Sequence, residues 1–152
     1  MVQTVMIYLE KDNQYLMLYR NKKKVDINKN KYIGVGGHVE NNETPNEAIV
    51  REVKEETGLD LLSFKERGLV YFVLNGYEEE MYIYTSKDYS GDIIECNEGD
   101  LVWVNKDKIL DLPLWEGDKY FLEPLLNNNE NYFIMRLIYE NDVLIKVEKI
   151  KE

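Results

Sequence analysis

The chain has little cysteine and no long hydrophobic segment. Cys96 is the only cysteine among 152 residues, which excludes an internal disulfide framework and favours a reducing compartment. No segment reaches the roughly 18 consecutive apolar residues of a membrane span. The first six residues also lack the basic start and the small-residue cleavage site of a signal peptide. We therefore expect a cytoplasmic protein without a membrane partner.

Basic residues are scarce relative to acidic ones. Lysine and arginine number 19 against 29 aspartates and glutamates, which gives a net charge of −10. This balance argues against binding of long nucleic acid, which requires a basic surface. A small phosphorylated substrate remains compatible with it, because bound metal ions can reverse the local sign of charge. The length and the mixed composition indicate one domain spanning residues 1–152.

Three carboxylates are concentrated within residues 37–59. Glu52, Glu55 and Glu56 follow the spacing i, i+3, i+4, which places them on one side of a helix. Ile49, Val50 and Val53 are predicted to form a separate arc suited to burial. A solvated acidic helix face is the ordinary explanation of such a cluster. Its alternative is a site for a hard divalent cation, Mg²⁺ above all, with oxygen ligands.

Local signals define the ends of this helix. Thr44 is a good N-cap residue, and Glu47 completes a capping box three residues later. Pro45 suits the first helical position, and Gly58 suits the left-handed position after the last turn. The predicted helix therefore spans residues 45–57. The preceding Gly34–Gly37 segment is expected to be a flexible turn that can approach a ligand closely.

Residues 37–59 resemble the Nudix box, the signature of the Nudix hydrolases. Every defined position of that box is filled, by Gly37, Glu43, Arg51, Glu52, Val53, Glu55, Glu56, Gly58 and Leu59. Later segments, around residues 91–104 and 114–118, are similar to the bacterial MutT-like oxidised-purine nucleoside triphosphatases of this family. The resemblance implies a fold of the α/β (α+β) class, the Nudix fold, which is a three-layer α/β/α sandwich with a mixed β-sheet.

The resemblance also implies a metal site on the box helix. Glu55 and Glu56 would be the main ligands of Mg²⁺, for which Mn²⁺ can substitute, and the carbonyl of Gly36 would be a third. Glu52 would be either a further ligand or the general base.

Other residues are expected to complete this site. Arg51 and Glu43 would pair, so that the loop is held against the helix and a carboxylate is oriented, while Gly58 would end the helix. One further carboxylate from outside the box is expected as an outer ligand. Glu98 is the better candidate because it precedes a predicted strand at a family-like distance, and Glu95 is the alternative.

The resemblance also implies contacts with the substrate. Arg20, Gly37 and His38 are candidate contacts for substrate phosphates, although a lone histidine is more often simply exposed. Residues 21–31 form a polar, basic loop, whose ordinary interpretation is a solvated segment and whose alternative is a flap that faces phosphate.

The base of a nucleotide would need a separate pocket. Trp115 and Asp118 lie in a segment similar to the purine-binding segment of these enzymes. Trp115 would stack on the base and Asp118 would hydrogen-bond to its edge. Core packing for the tryptophan and helix N-capping for the aspartate are the alternatives. Ile33 stands where animal relatives carry a base-contacting asparagine, so their mode of base recognition does not transfer.

The remaining elements follow from local patterns. We predict strands over residues 2–9, 15–20, 66–75, 79–86, 101–104, 132–139 and 143–149, and a helix over residues 118–126. Residues 2–20 are expected to form a hairpin. Asn75-Gly76 and residues 140–142 are expected to close two further hairpins.

The combined prediction is a Mg²⁺-dependent Nudix pyrophosphohydrolase. Its substrate would be a purine (deoxy)nucleoside triphosphate, 8-oxo-dGTP among the candidates, which it would cleave to a monophosphate and pyrophosphate to cleanse the nucleotide pool. A nucleotide sugar, a dinucleoside polyphosphate or ADP-ribose is the alternative substrate. A nucleotide-binding regulator without catalysis is the alternative of a different class. The sequence does not identify a protein partner.

Overall fold

The computed structural model describes residues 1–152 and contains nine strands, two α-helices and one 3₁₀ helix. In chain order these are β1 Val2–Lys11, β2 Gln14–Tyr19, β3 Tyr32–Ile33, β4 Val35–His38, α1 Pro45–Thr57, β5 Asp60–Leu74, β6 Tyr77–Ser90, β7 Asp100–Asn105, the 3₁₀ helix Lys106–Asp111, α2 Asp118–Leu126, β8 Phe133–Glu140 and β9 Val143–Lys151. Neither helix is long and apolar enough to cross a membrane.

The strands join into one mixed sheet. Their order is β3-β2-β1-β6-β5-β8-β9, while β4 pairs additionally with β1 and β7 with β2. The pairs β1–β6 and β5–β8 are parallel, and the remaining pairs are antiparallel. The mixed sheet agrees with the sequence-based expectation.

Alternating residues of β1 divide the core into two layers. Val5 and Ile7 belong to a buried cluster that includes Ile49 and Val53 of α1. The intervening Met6 and Tyr8 belong to a second cluster, which includes Phe121, Leu122 and Leu125 of α2. Because successive side chains of a strand point to opposite faces, β1 is covered by α1 on one face and by α2 on the other. This arrangement is the predicted three-layer α/β/α sandwich.

Helix α1 has the predicted ends. The Thr44 side chain accepts from the Glu47 amide at 3.1 Å, and the Glu47 carboxylate accepts from the Thr44 amide at 2.9 Å. Gly58 closes the helix with φ of 81°. The prediction that Val50 is buried was wrong, since it remains 39% exposed. It lies about 100° around the helix from the buried Ile49, beyond the strip that contacts the sheet.

The prediction of a flexible turn before α1 was wrong. Val35–His38 form strand β4, which pairs antiparallel with β1. A Cβ atom on Gly36 would lie 1.8 Å from the Val5 carbonyl oxygen. The glycine is therefore required by the close approach of two strands, and this approach fixes the segment in place.

Two of the three predicted hairpins are paired along most of their length, with register shifts in each. Asn75 and Gly76 both have positive φ, 50° and 85°, and connect β5 to β6 as expected. Strands β8 and β9 also pair along their length. The first hairpin is paired only at its turn, through Glu10–Tyr15 and Lys11–Gln14. Beyond this point β2 separates from β1 and pairs with β3 and β7 instead.

Candidate functional site

The three box carboxylates differ in their exposure to solvent. Helix α1 buries Glu56, which is 7% exposed. The Glu52 side chain is largely covered, with 14% exposure, whereas that of Glu55 is 58% exposed. Helical spacing thus brings the three residues together as predicted, but their environments are not equivalent.

Glu56 lies at the centre of the site. One of its carboxylate oxygens accepts a 2.9 Å hydrogen bond from the Gly36 amide. The other is buried and has no hydrogen-bond partner in the protein. Burial, reinforced by the nearby Glu98 carboxylate, raises the pKa of Glu56 well above its usual range. A buried carboxylate oxygen without a donor is suited to a cation, which would reverse this preference for the neutral form.

Glu98 supplies a second carboxylate at the same place. Ligand atoms of Glu56, Glu98 and Cys96 all lie within 4.8 Å of one another. By contrast, the Glu95 side chain is 88% exposed and pairs with Lys22 at 3.3 Å. The geometry therefore favours Glu98 over Glu95 as the outer carboxylate. The two carboxylates suit a hard cation, whereas the thiol does not, so the buried Cys96 is best explained as a packing residue.

Arg51 organises the surface of the box through five hydrogen bonds. It binds both oxygens of Glu43, at 2.7 and 2.8 Å, so the predicted pair is present. Its remaining donors reach the His38 carbonyl at 2.9 Å, Glu52 at 2.8 Å and Glu55 at 3.1 Å. The hydrogen bonds from Arg51 lower the pKa of Glu43 to about 2. One guanidinium thus fixes the end of β4, the following loop and two acidic side chains of α1.

Glu52 is held between Arg51 and the glycine-rich strand. Burial raises the pKa of Glu52, and the hydrogen bond from Arg51 opposes this rise. A Cβ atom on Gly37 would lie 2.6 Å from the carboxyl carbon of Glu52. The absence of a side chain at Gly37 therefore leaves the space that the Glu52 carboxylate fills.

A cavity of about 450 Å³ unites most of the predicted contacts. Eight candidate residues line it, namely Arg20, Gly36, Gly37, His38, Glu52, Glu98, Trp115 and Asp118. Glu56 is buried and does not line the cavity, and neither do Glu55, Arg51, Glu43 and Gly58. Sequence reasoning missed Phe72 and Met81, because buried apolar strand residues give no signal that distinguishes a cavity wall from the core.

The loop over residues 21–31 contributes charge to this cavity. Lys23 and Asp26 belong to its lining. Lys23 pairs with Glu98 at 3.0 Å, while Arg20 pairs with Asp26 at 2.8 Å and lies 3.6 Å from Glu98. Two cations from one loop region therefore face the outer carboxylate. The many basic residues between positions 20 and 31 were the available sequence signal. They did not identify which lysine faces the cavity.

Trp115 serves both the core and the cavity. It is 5% exposed, and its ring contacts Phe72 and Tyr139 edge to face at centroid distances of 5.3 and 5.0 Å. Its indole N–H donates to the Asn28 side chain at 2.7 Å, and the Lys31 ammonium lies 4.7 Å from the ring centroid. The two sequence-based alternatives are thus compatible, because one face of a buried ring can also line a cavity.

Asp118 lies at the wall of the cavity rather than at a helix cap. The N-cap of α2 is Gly117, without a side-chain cap bond, so the capping alternative for Asp118 was wrong. The Asp118 residue is 5% exposed. Burial raises the pKa of its carboxyl to about 8, and the Lys31 ammonium opposes the rise. At neutral pH this carboxyl is therefore mostly protonated and can donate a hydrogen bond.

Comparison with known proteins places this geometry in a family. The profile of the NUDIX domain matches residues 2–125. An oxidized purine nucleoside triphosphate hydrolase of Danio rerio is 27% identical over 134 residues, which cover 86% of this chain and 85% of the relative. A Nudix hydrolase of Bacillus subtilis is 26% identical over 121 residues, covering 76% of this chain and 73% of the relative.

Structural similarity extends over the whole chain. The crystal structure of a MutT protein from Bacillus halodurans matches with a TM-score of 0.88 and 22% identity, covering 100% of this chain and 99% of the other. The predicted Nudix fold is thereby confirmed. Because the family profile spans most of the chain, including the complete box on α1, this protein belongs to the Nudix domain family of hydrolases that act on pyrophosphate bonds.

Proposed function

We propose that this chain is a Mg²⁺-dependent pyrophosphohydrolase of purine nucleoside triphosphates. The products would be a nucleoside monophosphate and pyrophosphate, and 8-oxo-dGTP is one candidate substrate. The observation that carries the proposal is that one cavity contains both Glu98, which lies beside Glu56, and an aromatic wall with an adjoining acid, Trp115 and Asp118. Placement of the reaction in the cytoplasm, which rests on the single cysteine, stays a prediction.

The donor set fits a hard divalent cation. Glu56 offers a buried oxygen that has no protein donor, and Glu98 adds a second carboxylate. Glu55 would act as a further ligand and the Gly36 carbonyl as another. When bound, Mg²⁺ (or Mn²⁺) would polarise phosphate oxygens and acidify the attacking water.

The chain's own residues would handle the proton and the substrate charge. Glu52 lines the cavity and is largely covered, so it can either bind the cation or accept the proton of the attacking water. Arg51 would orient it through their 2.8 Å contact. Arg20 and Lys23 would attract the phosphate chain, and His38 lies at the rim where a phosphate can reach it.

Purine binding would use the opposite wall. The Trp115 ring presents a flat apolar surface that is fixed by the hydrogen bond to Asn28. A protonated Asp118 can donate to an acceptor on the base edge, which an ionised carboxylate cannot do. The activity of the Danio rerio relative, an oxidized purine nucleoside triphosphate hydrolase, supports a purine substrate.

Other functions remain as alternatives. A nucleotide sugar, a dinucleoside polyphosphate or ADP-ribose would need the same metal chemistry with a different second group. A non-catalytic nucleotide-binding regulator is less well supported, because Glu52, Glu55 and Glu56 are all retained.

A substrate panel with product identification tests the proposal. dGTP, 8-oxo-dGTP, dATP, ADP-ribose, a nucleotide sugar and a dinucleoside polyphosphate are compared at equal concentration with Mg²⁺. We expect the highest kcat/KM for a purine triphosphate, with release of pyrophosphate. A higher value for one of the last three compounds would identify the alternative enzyme, and binding without turnover of any compound would identify the regulator.

A further inference from the structure

A second cavity lies at the far end of the strands that build the catalytic cleft. Its volume is about 390 Å³, and none of its lining residues also lines the first cavity. Met6 of β1 lines the first cavity, whereas Glu10 of the same strand lines the second. Four residues along a strand separate the two by roughly 13 Å. The second cavity is therefore a distinct place in the fold.

The floor of this cavity contains a buried arginine without a carboxylate partner. Arg67 is only 9% exposed. It donates to the Thr85 hydroxyl at 3.1 Å and to the Asn129 carbonyl at 2.6 Å, both of which are neutral. Three of the five N–H donors of the guanidinium thus have no protein acceptor. A buried charge in this condition is costly unless a counter-ion approaches it.

A β-bulge directs Arg67 to this position. In the β5–β6 register Glu66 opposes Tyr84 and Gly68 opposes Ile83, so Arg67 is the extra residue. Bulges bend a strand and re-aim a side chain, and they occur preferentially beside functional sites. The next residue, Gly68, leaves room for the Phe133 ring, because a Cβ atom there would lie 2.2 Å from that ring.

The acidic residues around the cavity are already satisfied. Glu10 pairs with Lys106 at 2.7 Å and Lys87 at 3.5 Å, and Glu130 pairs with Lys65 at 2.7 Å. The remaining acid, Asp88, accepts a 2.7 Å hydrogen bond from the Ser63 hydroxyl.

The formal charges of the cavity lining are balanced. Its cations are Lys65, Arg67 and Lys87, and its acids are Glu10, Asp88 and Glu130. Glu10 has an additional ion pair with Lys106, which lies outside the lining. The two lining lysines have ion-pair partners, so Arg67 is the lining cation that has no carboxylate in salt-bridge contact.

We propose that the second cavity binds a phosphate group, either as inorganic phosphate or as a phosphate monoester. Arg67 supplies a fork of N–H donors that matches two oxygens of the anion. The Thr85 hydroxyl accepts from Arg67 and so keeps its own proton for a third oxygen. Lys65 and Lys87 stand at the rim and can turn from their exposed ion pairs toward the ligand. The site does not depend on the proposed catalytic function.

Metal-free NMR titration tests this site on the full chain. ¹⁵N-labelled protein in EDTA is titrated with inorganic phosphate at constant ionic strength. We expect saturable amide shifts at residues 85–88, separate from any shifts at residues 36–38 of the catalytic cleft. Arg67→Gln should weaken binding at residues 85–88 by about tenfold or more, because a charge-assisted hydrogen bond is lost. Lys108→Gln, which removes an exposed charge elsewhere, should leave the affinity within about twofold.

A comparison of ligands distinguishes the two sources of phosphate, and additional variants are available if one variant does not fold. Tighter binding of guanosine monophosphate than of inorganic phosphate would identify a nucleotide as the ligand, and the reverse would identify the free ion. If Arg67→Gln does not fold by circular dichroism, Thr85→Val and Lys87→Gln replace it, and each should weaken binding. Shifts confined to residues 36–38, identical shifts with chloride, or unchanged affinity in folded variants would overturn the proposal.

Discussion

The Gly36 amide and the Glu56 carboxylate are joined by a 2.9 Å hydrogen bond that ties strand β4 to helix α1. This bond anchors one carboxylate oxygen and leaves the other buried without a protein donor. The free oxygen lies beside Glu98. Lys23 and Arg20 stabilise the Glu98 carboxylate, whereas burial raises the pKa of Glu56 and disfavours its anion. A cation at this place would satisfy both groups and would connect α1 to the segment that precedes β7.

The outer carboxylate is tested by two matched substitutions. Glu98→Gln should weaken Mn²⁺ binding by roughly 10- to 100-fold, since a charged contributor to the site is lost. Glu95→Gln removes the same charge from an 88% exposed side chain and should change the affinity little. Free Mn²⁺ measured by electron paramagnetic resonance gives both constants. Equal effects at the two positions, or a larger effect at Glu95, would transfer the ligand role away from Glu98.

Two adjacent glycines are expected to respond differently to alanine. In Gly36→Ala the new Cβ would lie 1.8 Å from a backbone oxygen of β1, so the strands must separate and the free energy of unfolding should fall. In Gly37→Ala the Cβ meets the flexible end of Glu52 at 2.6 Å. That carboxylate can move, so kcat should fall while the melting temperature changes less than in Gly36→Ala. Thermal unfolding and steady-state kinetics distinguish the two, and the reverse order would refute this account of β4.

The raised pKa of Asp118 predicts that the stability of the protein depends on pH. Its pKa is raised from 3.8 to about 8, so the folded state binds its proton more tightly than the unfolded state. The stabilisation of the folded state by this proton is complete below the pKa of the unfolded state. It decreases as the pH rises from about 4 and is lost above about 8. Asp118→Asn cannot ionise, so its free energy of unfolding relative to the natural chain should rise from pH 4 to pH 9. Urea unfolding across this range measures the difference, and a pH-independent difference would show that Asp118 is ionised throughout.

We predict that removal of the Trp115 ring lowers the affinity for a purine nucleotide. Trp115→Leu keeps an apolar side chain against Phe72 but should weaken binding of a non-hydrolysable purine triphosphate by about 1–3 kcal/mol, the usual range for base–aromatic stacking. Trp103→Leu is the matched control, because Trp103 packs on the α1 side of the sheet, away from the cavity. Calorimetric titration of both folded variants provides the comparison. Unchanged affinity in Trp115→Leu would remove the stacking role.

The helices could be predicted from the sequence because their signals are local. A capping box at Thr44 and a left-handed glycine at position 58 define α1 within a few residues, and Asp118–Leu126 matches α2 as predicted. Burial of Glu56 followed from neither signal, because it depends on β4 lying against both β1 and α1. The same long-range contact turned the expected flexible Gly34–Gly37 segment into a strand.

The candidate site was predicted best where residues occur at fixed spacing along the chain. Arg51 and Glu43 meet as the box pattern implies, since they are only eight residues apart in the sequence. Asn28 and Lys31 contact Trp115 although they are 84 or more residues from it in the sequence. No local sequence pattern predicts such contacts. The bulge at Arg67 could not be predicted from the sequence either, because a register shift depends on the partner strand β6 as well as on the sequence of β5.

Products formed by the natural chain and by Glu56→Gln test the central claim most directly. With dGTP, or with the best compound of the substrate panel, and Mg²⁺, ³¹P NMR should show nucleoside monophosphate and pyrophosphate from the natural chain and neither product in excess EDTA. Glu56→Gln should lose orders of magnitude in kcat, yet its melting temperature without metal should be unchanged or higher, because glutamine keeps the size and polarity of the buried side chain and cannot ionise. Glu123→Gln, an exposed change on α2, should behave as the natural chain does. Near-normal turnover by Glu56→Gln, or undiminished hydrolysis in EDTA, would contradict the account.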